Sequence, residues 1–168
     1  MNKRKIFILH PSSITFMEIL ILGFILVALM AYVSTRIKKS AARAFEKETI
    51  ETEDFSIVKP EGFLNPAGGN SEYAFEAYSK DFGENDAAEY RKATARIYKN
   101  PGRGAELPDE TEKTEKGVTI QTFRKILKTG DSGETYELEI SVLKDYREQY
   151  FDKINELLNS FSLKRNNL

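Results

Sequence analysis

With 168 residues, 25 of them Lys or Arg and 26 Asp or Glu, the chain has a net charge of -1 and room for one domain of ordinary size. The absence of cysteine removes disulfide frameworks, thiolate metal sites, thiol catalysis and a lipoprotein-type acylation cysteine. The charge is unevenly shared: residues 1–40 hold six basic residues and one acid, so the remainder, with 19 basic and 25 acidic residues, stands near -6 and argues against a nucleic-acid-binding face.

Residues 1–13 form a basic tail. Lys3, Arg4 and Lys5 precede a short apolar run, Ile6 to Leu9, which is too short to span a membrane and is broken at His10-Pro11. Ile14 to Thr35 then gives twenty-two residues with a single charge. As a helix this run is roughly 33 Å long, a match for a hydrocarbon core of about 30 Å, so a single transmembrane helix in the lipid bilayer is expected over 14–35. The run passes straight into Arg36, Lys38 and Lys39 without a small-x-small cleavage site, which predicts an uncleaved signal anchor. Within it, Gly23, Ala28 and Ala31 permit close helix–helix packing, so a homo-oligomer is compatible with the span.

Glu18 is the unusual residue, because a carboxylate near hydrocarbon is costly. Thr15-x-x-Glu18 has the spacing of a capping box, in which each side chain satisfies a free amide at the helix start. The stretch Ser13-Ile14-Thr15-Phe16-Met17-Glu18-Ile19-Leu20-Ile21 also resembles the start of type IV pilins and pseudopilins, with Ser13 where that family favours Gly. The resemblance implies cleavage before Ile14 and pairing of Glu18 with the Ile14 amine of a neighbouring subunit.

The span is flanked by Lys3, Arg4 and Lys5 on one side and Arg36, Lys38, Lys39, Arg43 and Lys47 on the other, and counting alone slightly favours a cytoplasmic C-terminal part. Residues 36–54 are dense in charge and lack an apolar stripe, so they are expected to continue the helix as an exposed stalk.

A head domain is expected over 55–164, with 165–168 as a tail. Phe55 to Phe63 is a β-prone run stopped by Pro60 and Gly62, and Leu64 to Ser71 reads as a loop. Tyr73, Phe75 and Ala77, and then Ala93, Ala95 and Ile97, show the two-residue period of half-buried strands. Asn100 to Gly117 reads as a long loop. Val118–Leu127 and Tyr136–Val142 form the clearest hairpin, with Tyr136, Leu138, Ile140 and Val142 on a core face and Glu137, Glu139 and Ser141 on the wet one. Tyr146, Tyr150, Ile154, Leu157, Leu158 and Phe161 recur at helical spacing, predicting an amphipathic C-terminal helix that covers the sheet. The expected fold class is therefore α+β: a transmembrane helix followed by one antiparallel sheet domain under a C-terminal helix.

The opening Phe55-Ser56-Ile57-Val58-Lys59-Pro60-Glu61-Gly62-Phe63, the late hairpin and a final helix ending Leu158-Asn159-Ser160-Phe161 resemble the PsbP-like family, whose opening usually has Trp where Phe63 stands. The resemblance implies a sandwich of antiparallel sheet and helices with Phe55, Ile57, Phe63 and Phe161 in its core. It also implies an extracytoplasmic head, here on a bacterial plasma membrane, that acts as a binding or assembly module for a protein partner and brings no shared catalytic motif.

The chemistry in the residues is sparse. The single histidine, His10, lies outside the head, which removes histidine acid–base catalysis and histidine metal ligation there. Gly102-Arg103-Gly104 lacks the strand-to-helix context of a dinucleotide fingerprint, and the acids Glu51, Glu53 and Asp54 read as solvated. No cofactor and no metal is expected, and the function expected is that of a non-enzymatic, membrane-anchored accessory subunit. The alternative is a pilin-like structural subunit.

Overall fold

A run rich in Leu, Ile, Met and Ala, free of proline, favours helix throughout. Phe16–Ala44 is accordingly one helix, α1, in the computed structural model, which describes residues 16–66, 72–101, 109–129 and 133–164. Met17–Ala44 is 28 residues long and contains an 18-residue stretch with a mean hydropathy of 2.3, none of which is buried. It is long and apolar enough to cross a membrane. Lys3, Arg4, Lys5, Ile14 and the capping residue Thr15 lie outside the described residues. The chain divides after Ala41 into two compact units, and the second starts with the last residues of α1.

The expected helical stalk over 36–54 is corrected by the structure. The helix stops at Ala44, and β1 occupies Glu48–Glu51, paired antiparallel with β2, Phe55–Lys59. Thr49 and Ile50 are β-branched, Ile50 packs on the core, and backbone pairing with β2 outweighs the helix preference of the flanking acids. Thr52 closes the connection, its amide donating to the Phe55 carbonyl at 2.9 Å and its hydroxyl accepting from the Phe55 amide at 3.0 Å. The third strand of this small sheet, β9 at Ser162–Leu163, pairs with the other side of β2, opposite Phe55 and Ser56.

Alternation along β2 buries Phe55, Ile57 and Lys59. A turn at Pro60–Phe63, with the Phe63 amide donating to the Pro60 carbonyl at 3.2 Å, then carries the chain into the second sheet. Gly62 takes the left-handed position of that turn (φ 85°), where a side chain would be strained. The second sheet comprises β3 (Phe63–Leu64), β4 (Phe75–Ser79), β5 (Ala93–Lys99), β6 (Glu110–Glu115), β7 (Val118–Lys128) and β8 (Thr135–Leu143). Its spatial order is β3-β4-β5-β8-β7-β6, entirely antiparallel: two meanders joined where β8 lies against β5. The expected α+β architecture is thus the observed one, with its strands divided between a six-stranded and a three-stranded sheet.

β6 corrects the expected loop over 100–117. Glu110–Glu115 pairs with β7 along its whole length, and Lys116 and Gly117 both adopt positive φ (52° and 82°), the signature of a two-residue hairpin turn. Lysine is a rare first residue for such a turn, which hides it in the sequence.

α2 spans Arg147–Ser160 and buries Tyr150, Ile154 and Leu157 against β2, β7 and β8, as its apolar spacing predicts. Burying each of the aliphatic pair contributes about 1.5–3 kcal/mol. Phe55, Ile57, Phe63 and Phe161 are core residues, at most 1% exposed. The Phe55 ring meets Phe161 edge-on at 6.1 Å, and Phe63 meets Tyr150 at 6.0 Å, so both ends of the head share one core.

Candidate functional site

Inward-facing positions on strands are normally apolar, yet two lysines occupy them and both serve the ends of helices. Lys59, 1% exposed, directs its ammonium to the carbonyls of Ala44 (3.0 Å), Glu46 (2.5 Å) and Phe63 (3.0 Å), so all three of its N–H donors have acceptors. Burial pushes this ammonium below the ordinary lysine range, and Glu48 and Glu46 pull the other way without cancelling the shift. The Gly62 amide adds a bond to the Phe45 carbonyl at 2.7 Å. Lys125 on β7 does the same for α2, donating to the carbonyls of Leu158 and Phe161 (2.9 Å for the latter). A cation at a helix C-terminus satisfies free carbonyls and offsets the negative end of the dipole. Sequence reasoning overlooked Lys59, although its place two residues after Ile57 puts it on the buried side of β2.

The opposite face of the six-stranded sheet carries charge in a regular order. Register places Glu76, Arg96, Glu139 and Arg124 side by side across β4, β5, β8 and β7. Arg96 Nε lies 2.9 Å from Glu76 Oε1, Arg124 Nη2 lies 3.3 Å from Glu139, and Arg124 Nε lies 3.2 Å from Glu137. Burial acts to lower the Arg96 pKa, but the hydrogen bond with Glu76 together with the electrostatic pull of Tyr73, Glu76 and Tyr98 outweighs it, and the guanidinium ends above its ordinary value. The Arg96 guanidinium also stacks 4.7 Å from the Tyr73 ring, which meets Tyr98 edge-on, and Arg91 sits between Tyr78 (4.5 Å) and Phe82 (3.8 Å). This face is drier than its expected wet character: the Glu137 side chain is 2% exposed, and Glu139 and Ser141 are half-buried. Long paired side chains lying along the sheet exclude water from one another.

An open cavity of about 360 Å³ lies at the end of this sheet, lined by Glu84, Asp86, Thr119, Lys144, Asp145 and Tyr146 among others. Lys144 is engaged with Glu112 at 2.7 Å, and that contact, with the Gln121 amide, holds the Glu112 carboxyl below the usual range. The lining is polar, unlike the apolar floor of most small-molecule sites. Among the described residues no group of three His, Cys, Asp or Glu side chains converges to hold a metal ion. The arrangement offers surface for recognition, built from arginine, tyrosine and paired carboxylates.

The residues singled out in the span fall as follows. Glu18 lies in the first turn of α1. A Cβ on Gly23 would meet nothing within 4 Å, and Ala28 and Ala31 are exposed. Gly23 and Ala28 are five residues apart and Ala28 and Ala31 three, so none of these pairs has the four-residue spacing of a small-xxx-small dimer face. Arg36, Lys38 and Lys39 are exposed on the last third of the helix, with the Arg36 guanidinium 5.5 Å from the Tyr32 ring.

No protein-family model matches the chain, and no curated protein matches it. Among solved structures, the solution structure of cyanobacterial PsbP (CyanoP) from Synechocystis sp. PCC 6803 is similar, with a TM-score of 0.39 and 8% identity over 71% of this chain and 92% of that one. A likeness of this size concerns the fold alone. The resemblance of residues 13–38 to pilins gains no support from the comparisons.

Proposed function

We propose that this chain is a single-pass, membrane-anchored accessory subunit without catalytic activity, whose head docks on a protein partner in a membrane complex. The observation that carries the reading is α1: an 18-residue stretch of it has a mean hydropathy of 2.3, and no part of that stretch is buried by the chain itself. A helix that is apolar all round needs lipid or other helices around it. The head supports a docking role through its Tyr- and Arg-bearing sheet face, since these residue types are enriched in protein interfaces. The carboxylates on that face are committed to arginines, and the head has neither cysteine nor histidine, so it is a poor setting for acid–base or thiol catalysis. In this reading the membrane is a bacterial plasma membrane and the head is extracytoplasmic.

The test is the intact mass of the chain extracted from its native membrane, together with the proteins that accompany it. A chain that retains residues 1–13 within a stable complex is the expected result. A chain that starts at Ile14 and assembles only with itself would replace this reading with the pilin-like one. A reporter active only outside the cytoplasm, fused after Leu168, is expected to be active; a silent but expressed fusion reverses the orientation.

A further inference from the structure

Two ridges run along one side of α1 between Leu29 and Lys38. Leu29, Val33 and Ile37 form one, and Met30, Ser34 and Lys38 the other, each with its members four residues apart as ridges on a helix require. The groove between them is apolar at Leu29 and Met30 and ends at Lys38. Its second wall changes along its length from a thioether through a hydroxyl to an ammonium. That sequence of chemistries follows a phospholipid from acyl chain through glycerol ester to phosphate.

The geometry points to this groove as a binding site for one phospholipid with an anionic headgroup, the chain lying on Leu29, Val33 and Ile37 and the phosphate on Lys38 with Ser34 beneath it. This rests on the reading of α1 as a membrane span. Charge favours lipid over a second copy of the helix. There is no Asp or Glu from Ile19 to Phe45, so Arg36, Lys38 and Lys39 have no acidic neighbour on their own helix. Two copies inserted with the same topology would set three cations against three cations at one depth, whereas an anionic headgroup neutralises them. The head, near -6 beyond residue 40, does not itself draw the chain to anionic lipid, which leaves the contact to these residues.

The test uses the full chain reconstituted in phosphatidylcholine vesicles doped with spin-labelled phosphatidylglycerol or spin-labelled phosphatidylcholine. The motionally restricted fraction is expected to be about fivefold greater for the anionic label, which is what one cation at a charged lipid surface supplies. Lys38→Gln is expected to bring it down to the phosphatidylcholine level, and 1 M salt to reduce it. Lys47→Gln, a residue paired with Glu156 in the head, is expected to leave it unchanged. Equal restriction of the two labels, or indifference to Lys38→Gln, overturns the site. Efficient cross-linking of Val33→Cys chains to each other would show a second copy in the groove and overturns it too. Carbonate washing separates the two readings: release from the vesicles sinks the anchor and the site together, while retention without headgroup preference sinks the site alone.

Discussion

The two helices present opposite surfaces and share one manner of ending. α2 has a stripe, Tyr150, Ile154 and Leu157, and is charged elsewhere, so a sheet is enough to bury it. α1 has no polar side from Met17 to Val33, apart from Glu18 in its first turn, and the chain buries none of it. The contrast teaches that apolar content alone does not place a helix in a core; the width of the apolar surface decides which solvent it needs. Both helices nonetheless finish on carbonyls held by a strand lysine, Lys59 for α1 and Lys125 for α2.

Breaking the stripe gives the largest effect. Leu157→Ala is expected to lower head stability by about 4 kcal/mol, as for other fully buried leucines, whereas Leu26→Ala in α1 leaves the stability of the head unchanged. Chemical denaturation of the full chain in detergent measures both, and equal effects would dissolve the contrast between the helices.

The two lysines come next. Lys59→Met strands three carbonyls and is expected to cost about 3 kcal/mol, with hydrogen exchange at the Gly62 amide accelerating first. Because burial sets the Lys59 pKa below its ordinary 10.5, the unfolded chain holds more protons in the window between the two values, and this group's contribution to stability rises with pH there. Below that window both states are protonated and the burial cost is present in full. The stability difference between wild type and Lys59→Met should therefore grow as pH approaches 10.5 from below; a flat difference would mean that the ammonium is not desolvated. Lys125→Met, at a half-buried position, is expected to cost about 1.5 kcal/mol and to fray the last turn of α2. The smallest effect is electrostatic. Lys144→Gln should return the Glu112 carboxyl toward the ordinary range in an NMR titration, with little change in stability.

Much of this fold is legible from period alone. Alternation locates β4, β5, β7 and β8, and the spacing of Tyr150, Ile154 and Leu157 locates the buried side of α2. β1 and β6 escape because neither has an apolar side to reveal it: Glu48–Glu51 and Glu110–Glu115 are strands through pairing with β2 and β7, a relation that local pattern does not encode. The charged ladder from Glu76 to Arg124 escapes for a related reason. Each member alternates correctly as an outward residue, and only the register of four strands reveals that opposite charges fall side by side. The cations that follow the apolar run are visible as letters, whereas the groove that ends at Lys38 needs the helix to be drawn.

The pairing of β2 with β9 has a consequence for synthesis. Phe55 faces Leu163, the Val58 amide donates to the Ser160 hydroxyl at 3.0 Å, and the Lys164 amide reaches the Asp54 carbonyl at 2.9 Å. On a ribosome adding about 5–20 residues per second, β2 emerges on the order of ten seconds before the segment that flanks it. Throughout that interval Phe55 and Ile57 have no cover from Phe161, while α1 is already available to the membrane. On the proposed reading of α1 as a membrane span, the nascent head is anchored before it can close, and a chaperone or neighbouring subunit present at the membrane meets it in that open form.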